Sequence, residues 1–482
     1  MLLNRRQFTL LPLPILAATP SSRTALTLNE DPNHFFSSRR GRRITRTDLT
    51  AWVDQYAGTQ VRELLLCVNA QRTAFPSRVW TPFWKGYDPA APDDQPLFHS
   101  APEKSAARQW VHVAWQMQQD GLDHFQIWIE RARQKGISPW LSIRMNDLHN
   151  VDDEQHYLHS DFWRAHPELR RIPYRGEMRD KALDFNHAAV RDYTFSLIEE
   201  VSRRYDFDGL ELDWMRHGFH FAPGREAEGR AHLAVFHRRV RQLLGRKKRI
   251  GVRVPPHPRS AFRLGLDAIA WARSGDIDLV VPTNFWRTVD TAMPLALWRQ
   301  LLPSSCLLGA GLELGLNPYP TSQPFRKNDL LSVRGAAAAY LDQGADRIYL
   351  FNYMDSETAI DNLAEYPPLL RECGSLATLA GKARRHVVTY TDTVAPGEPN
   401  PPALPATIEA GRWRAFRIPT GPDDPKLRTS VRIEPAGDWR IRINGEDPAK
   451  FSGGGEAVLE VTANSAGTVH FIELIRAPLV QS

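Results

Sequence analysis

Eight short apolar runs separated by amphipathic stretches occupy most of the chain from about Leu26 to Tyr353, and they restrict the folds open to it. The runs are Ala25–Asn29, Glu63–Asn69, Pro139–Asn146, Gly209–Trp214, Ile250–Val254, Leu279–Asn284, Leu307–Leu314 and Arg347–Tyr353. Each has the length and composition of a buried strand. Helical spacing lies between them, for example in Arg46–Ala57, Asp123–Lys135, Ala189–Arg204, Ala227–Leu244 and Val333–Gln343. Gly136, Gly275 and Gly344 stand just after helical stretches, where a left-handed cap belongs. Strands and helices in strict alternation predict an α/β fold of the (β/α)8 TIM-barrel type. A doubly wound open sheet is the alternative, but no Gly-rich phosphate loop follows the first strand.

Past Val394-Ala-Pro-Gly-Glu-Pro-Asn-Pro-Pro-Ala-Leu-Pro405 the periodicity changes to two. Arg412–Ile418, Trp439–Ile443 before an Asn444-Gly445 turn, Ala457–Val461 and Thr468–Ile475 all alternate. This predicts a small C-terminal antiparallel β-sandwich over 384–482, accessory to a barrel over 24–383 that is complete without it. Arg385–Tyr390 reads as its first strand, which would put the Pro-rich run inside the domain.

Asn4-Arg5-Arg6-Gln7-Phe8-Thr9-Leu10 and the apolar run Leu11–Ala18 read as a twin-arginine export signal over 1–20. The run is too short to span a bilayer, and no later segment reads as a membrane helix. The expected location is periplasmic or secreted. The 482 residues allow one large domain and a smaller one. Cys67, Cys306 and Cys373 are too scattered for a disulfide framework or a zinc cluster. The net charge of +6 comes from dispersed arginine rather than a patch, so nucleic acid is not an expected partner. No motif calls for a cofactor, and nothing in the sequence marks an oligomeric state.

In a barrel of this kind chemistry sits at the carboxy-terminal ends of the strands. Those ends are polar: Asn29, Asn69, Arg144 with Asn146 and Asp147, Glu211 with Asp213, Arg253, Asn284, Glu313 and Asn352. Such a set suits a ligand rich in hydroxyls. Glu211 and Asp213 are two apart on one strand and share a face, leaving Leu210, Leu212 and Trp214 opposite. Asp213 and Glu313, on strands four and seven, are the first catalytic candidates, able to flank a glycosidic oxygen from two sides. Glu211, one layer deeper, is the third, as a partner of a barrel Arg or a residue that tunes Asp213. The loop Arg144–His149 offers groups for hydroxyls or for an anionic group on a sugar. Arg72, Trp214, Arg216, His217, Trp286 and Tyr353 complete the expected substrate-binding set. His149, His156 and His159 invite a metal reading, but no HExxH accompanies them, and no metal is expected.

Phe207-Asp-Gly-Leu-Glu-Leu-Asp-Trp-Met-Arg216 resembles the strand-four signature of bacterial glycoside-hydrolase-like (β/α)8 barrels. Ser142–His149, Asn69–Arg72 and Phe351–Tyr353 are similar to segments of the same group, so the likeness covers most of residues 26–355. It implies the broad glycoside hydrolase superfamily, with Asp213 at the signature's terminal acid, while the substrate does not carry over; the polar mouth leads us to expect a carbohydrate, cleaved by a glycoside hydrolase or, in the alternative, only bound, with a metal-dependent hydrolase as a third reading. The large clan of retaining glycosidases carries Glu on both strands four and seven; Asp213 departs from that pattern.

Overall fold

Successive side chains of a strand face opposite sides, and that parity builds the interior here. The computed structural model describes residues 23–353 and 360–478; the expected export signal lies outside the described residues. β1 (Ala25–Glu30), β2 (Val61–Cys67), β3 (Ser138–Arg144), β4 (Gly209–Asp213), β5 (Arg249–Val254), β6 (Leu279–Pro282), β7 (Leu307–Leu312) and β8 (Arg347–Phe351) form a closed barrel. They follow in sequence order and are parallel, with β1 paired to β8. Leu64 and Leu66, Leu210 and Leu212, and Val252 and Val254 belong to the large core shared with the surrounding helices. Leu65, Trp140, Leu279, Val281, Tyr349 and Phe351 form a separate inner cluster.

Small residues let the large ones in. The Trp140 indole lies where a Cβ on Gly209 would be, and it crowds Gly251 as well. On β7, side chains at Gly309 and Gly311 would strike Val281 and Thr283, so the space beneath Glu313 is filled. The predicted helices are present as Arg46–Asp54, His124–Gln134, Ala188–Arg204, Glu226–Leu244 and Leu330–Asp342, and Gly136, Gly275 and Gly344 all have positive φ. Several predicted strands end early. Asn69, Asn146, Asn284, Leu314 and Tyr353 lie in loops, because the chain turns into the mouth as soon as the ladder ends. No helix among the described residues is long and apolar enough to cross a membrane.

The C-terminal part holds β9 (Arg384–Val387), β10 (Ala406–Ile408), β11 (Arg414–Gly421), β12 (Leu427–Glu434), β13 (Arg440–Ile443), β14 (Gly455–Thr462), β15 (Gly467–Val469) and β16 (Phe471–Pro478). Two antiparallel sheets, β11-β14-β13 and β12-β16-β9, and the pair β10-β15 enclose a core of Phe416, Ile418, Leu459, Ile472 and Leu474 among others. The Pro-rich run lies between β9 and β10, since β9 already pairs with β16.

These sheets pack tightly against the barrel. Helix Leu330–Asp342 is buried from Ser332 through Leu341, which one barrel face alone would not require. A Cβ on Gly335 would overlap the Arg385 carbonyl, and one on Gly421 would meet the Ala338 backbone at 2.7 Å. Arg385 bridges Asp329 at 2.7 Å and Glu473 at 2.6 Å across the same seam.

Candidate active site

Asp213 is the last residue of β4, and Glu313 is the first beyond β7. One guanidinium joins them: Arg253 of β5 donates from Nη1 to Asp213 Oδ2 at 2.8 Å and from Nη2 to Glu313 Oε1 at 2.5 Å. Asp213 Oδ1 accepts the Met215 amide at 2.9 Å, and Thr283 Oγ1 donates to Glu313 Oε1 at 3.3 Å. Both acids are only 1% exposed, and Arg253 is fully buried with its guanidinium 3.8 Å from the Phe351 ring centroid. Burial pushes the Glu313 carboxyl up to about 8 against the pull of Arg253, with the charges of Asp392 and Asp213 adding to the rise. Such a group keeps its proton at neutral pH.

Glu211 is sealed inside the barrel. Its Oε1 accepts from Ser142 Oγ at 2.7 Å, Tyr349 OH at 2.9 Å and Asn29 Nδ2 at 3.2 Å, while Oε2 has no partner. Burial and the nearby Asp213 charge push its pKa up. It lies one layer below Asp213 and, like Asp213 and Glu313, does not line the cavity at the mouth. The expected Arg partner is replaced by three neutral donors.

A cavity of about 630 Å³ opens at the mouth, lined by Asp31, Arg144, Asp147, His149, Arg216 and Asn352 among others. Arg144 donates to Asp31 at 2.5 Å and to Asp147 at 3.1 Å, and this pairing, against burial, holds Asp31 below the usual carboxylate range. Arg216 Nη2 lies 2.7 Å from His149 Nε2. A guanidinium only donates, so Nε2 accepts and His149 Nδ1 carries the proton given to Asp147 Oδ1 at 2.7 Å. His217 packs 4.9 Å from Phe285, and its Nε2 is buried without a partner. Asn352 holds a left-handed backbone with φ 57, and its Oδ1 is also unpartnered. Asp213 and Glu313 are not among the residues lining this cavity.

Other expected binding residues turn out to build the frame. Asn69 ties the ends of β2 and β3 through the Arg144 backbone, and Asn146 clamps Leu183 and meets His220. Arg72 donates to the His159 carbonyl at 2.8 Å, and Tyr353 OH to the Glu313 carbonyl at 3.0 Å. Asn284 donates to Thr288 and Tyr390 carbonyls. Trp214 faces away from the mouth, buried among Phe185, His237 and Trp271, as strand parity requires. Trp286 is 48% exposed and stacks on Phe325, so it remains free to meet a ligand ring.

Two acids escaped sequence reasoning. Asp31 caps helix Pro32–Ser38 and lines the cavity; the Asp-Pro step directly after β1 was its signal. Asp392 comes from the C-terminal part: its carboxylate accepts the amides of Phe285 at 2.8 Å and Trp286 at 3.1 Å, and its own amide donates to Asn284. Burial pushes Asp392 up to about 6. No strand-end rule points to it.

Asp147, His149 and His217 offer atoms within 4.8 Å of one another, a spacing that could hold a metal ion. Guanidinium groups already sit on two of these three side chains, Arg144 on Asp147 and Arg216 on His149.

Fold and site together define a (β/α)8 barrel whose carboxy-terminal mouth carries an arginine-bridged acid pair beside a charged cavity. The chain matches no protein-family model and no curated protein. Among solved structures it is similar to α-L-fucosidase isoenzyme 2 from Paenibacillus thiaminolyticus, at 14% identity and a TM-score of 0.42 over 71% of this chain and 49% of that one. It thus spans about half the fucosidase's length. It is also similar to the PgaB (BpsB) glycoside hydrolase domain from Bordetella bronchiseptica, at 12% identity and 0.43 over 73% and 99%. The α-glucosyl transfer enzyme XgtA matches at 12% and 0.43 over 95% and 100%. These likenesses concern the course of the chain; the chemistry has to be argued from the mouth itself.

Proposed function

We propose that the protein is a glycoside hydrolase in which Glu313 gives a proton to the leaving oxygen and Asp213 acts as the second carboxylate. The observation that carries this reading is the single Arg253 guanidinium joining the two acids across the barrel mouth. It holds them in fixed relation, and burial keeps the proton on Glu313. One acid protonated and one accepting from a guanidinium and an amide is the division of labour that glycoside cleavage needs. The test is a glycan panel assayed for new reducing ends, with Glu313→Gln beside the wild type. Loss should be greatest on substrates with poor leaving groups and small on activated aryl glycosides, which need little proton assistance. Equal loss on both would remove Glu313 as the acid.

A second reading, a carbohydrate-binding barrel without hydrolysis, is favoured by the 1% exposure of both acids and by the cavity that other residues line. Calorimetric binding of a glycan that yields no new reducing ends would select it. We also propose export through the twin-arginine pathway. Fusion of residues 1–22 to a reporter should send it across the membrane, and Arg5→Lys with Arg6→Lys should retain it.

A further inference from the structure

A buried charge is normally paired, because leaving it alone in a low-dielectric interior is costly. Of the buried arginines on the acid pair and in the cavity wall, two are paired and one is not. Arg253 has Asp213 and Glu313; Arg144 has Asp31 and Asp147. Arg216 is 8% exposed and forms no ion pair among the described residues. It donates to the His149 ring, and its Nε has no partner. Arg216 also lines the open cavity, together with Asn352 and its unpartnered oxygen. Beside it in the chain, His217 has an unpartnered buried nitrogen.

We infer that Arg216 is the recognition residue for an anionic group on the saccharide, a uronic-acid carboxylate or a sugar sulfate. This rests on the carbohydrate reading of the mouth. An anion in the cavity would give Arg216 the direct ion pair that it lacks among the described residues. Asn352, which lines the same cavity, would meet an adjacent hydroxyl. The competing occupant, a divalent cation on Asp147, His149 and His217, would have to settle against two guanidinium groups.

The experiment is calorimetric titration of the full chain with three probes of equal length: an oligogalacturonate, a sulfated galacto-oligosaccharide and an uncharged galacto-oligosaccharide. At least one acidic probe should bind about tenfold or more tightly than the neutral one, and the gap should narrow with added salt. Which acidic probe wins tells carboxylate from sulfate. Arg216→Gln should close the gap, and Arg216→Lys should restore part of it, which a misfolded variant could not do. Three results overturn the inference: acidic and neutral probes bound alike, no acidic probe bound, or a preference left unchanged by Arg216→Gln. Acid binding that requires an added divalent cation and vanishes with EDTA also overturns it, in favour of the metal. An acidic probe held through Arg216 yet never cleaved would sink the hydrolase reading alone. Cleavage of neutral probes with no acidic preference would sink only the present one.

Discussion

The two ends of the barrel treat charge in opposite ways. At the amino-terminal end Arg347 and Glu63 meet through two parallel hydrogen bonds of 2.8 Å, and Thr27 adds a third to the same carboxylate. Asp346 is shared between Arg23 and Arg299. A cavity of about 550 Å³ lies at this end too, but Lys247 and Arg249 on its wall are exposed and solvated. At the carboxy-terminal end Arg216 is buried without an anion, Glu211 has a bare oxygen, and Glu313 is held as an acid. The strands are the same and so is their parity. At one end the buried charges are matched by direct partners; at the other Arg253 and Arg144 are matched, while Arg216 and one Glu211 oxygen have no direct partner among the described residues.

That contrast can be broken from either end. Asp213→Asn should cost about a thousandfold or more in kcat on a good substrate while the cooperative unfolding transition survives. Turnover within a few-fold of wild type would remove the mouth's claim to chemistry. Glu63→Ala should lower unfolding free energy by about 3–5 kcal/mol in denaturant titration, because it strands Arg347 in the interior. A smaller loss would mean the amino-terminal end is less tightly matched than it looks.

Linkage gives a third measurement. Glu313 has its pKa raised from 4.5 to about 8, so the folded chain binds the extra proton between those values. Its stabilising contribution is complete below about 4.5 and is lost as pH rises through about 8. Stability should therefore fall from pH 5 to pH 8, by an amount on the order of 3 kcal/mol from this group. Glu313→Gln should flatten the profile, and an unchanged slope would show that the proton is held elsewhere. The smallest effect belongs to Arg216→Gln without ligand. Unfolding free energy should move by less than about 1 kcal/mol in either direction, since no ion pair is broken. A loss comparable to that of Glu63→Ala would make Arg216 a structural cation and erase the contrast.

Periodicity made the barrel legible, since each run of strand or helix declares itself within a few residues. The same parity located Asp213 on the inner face and, applied consistently, would have excluded Trp214 from the mouth. Glu313 was legible because β7 leads straight to it. The backbone partners of Asn69, Asn146, Asn284 and Tyr353 were not legible, because a polar residue past a strand can serve either a ligand or the loop's own backbone, and composition is the same in both cases. Asp392 was out of reach for a different reason: it meets Phe285 across 107 positions of chain, a contact that only tertiary packing makes.

Helix Leu330–Asp342 has one further consequence. Its small face, Gly335 and Ala336–Ala339, is a mould cast from both sides, by the barrel and by the strands after it. A module grafted in place of the C-terminal sheets would have to reproduce the Arg385 carbonyl track and bring its own Asp392, or leave the Phe285–Trp286 loop without its anchor. Recombination at this seam should therefore disturb the mouth as well as the joint.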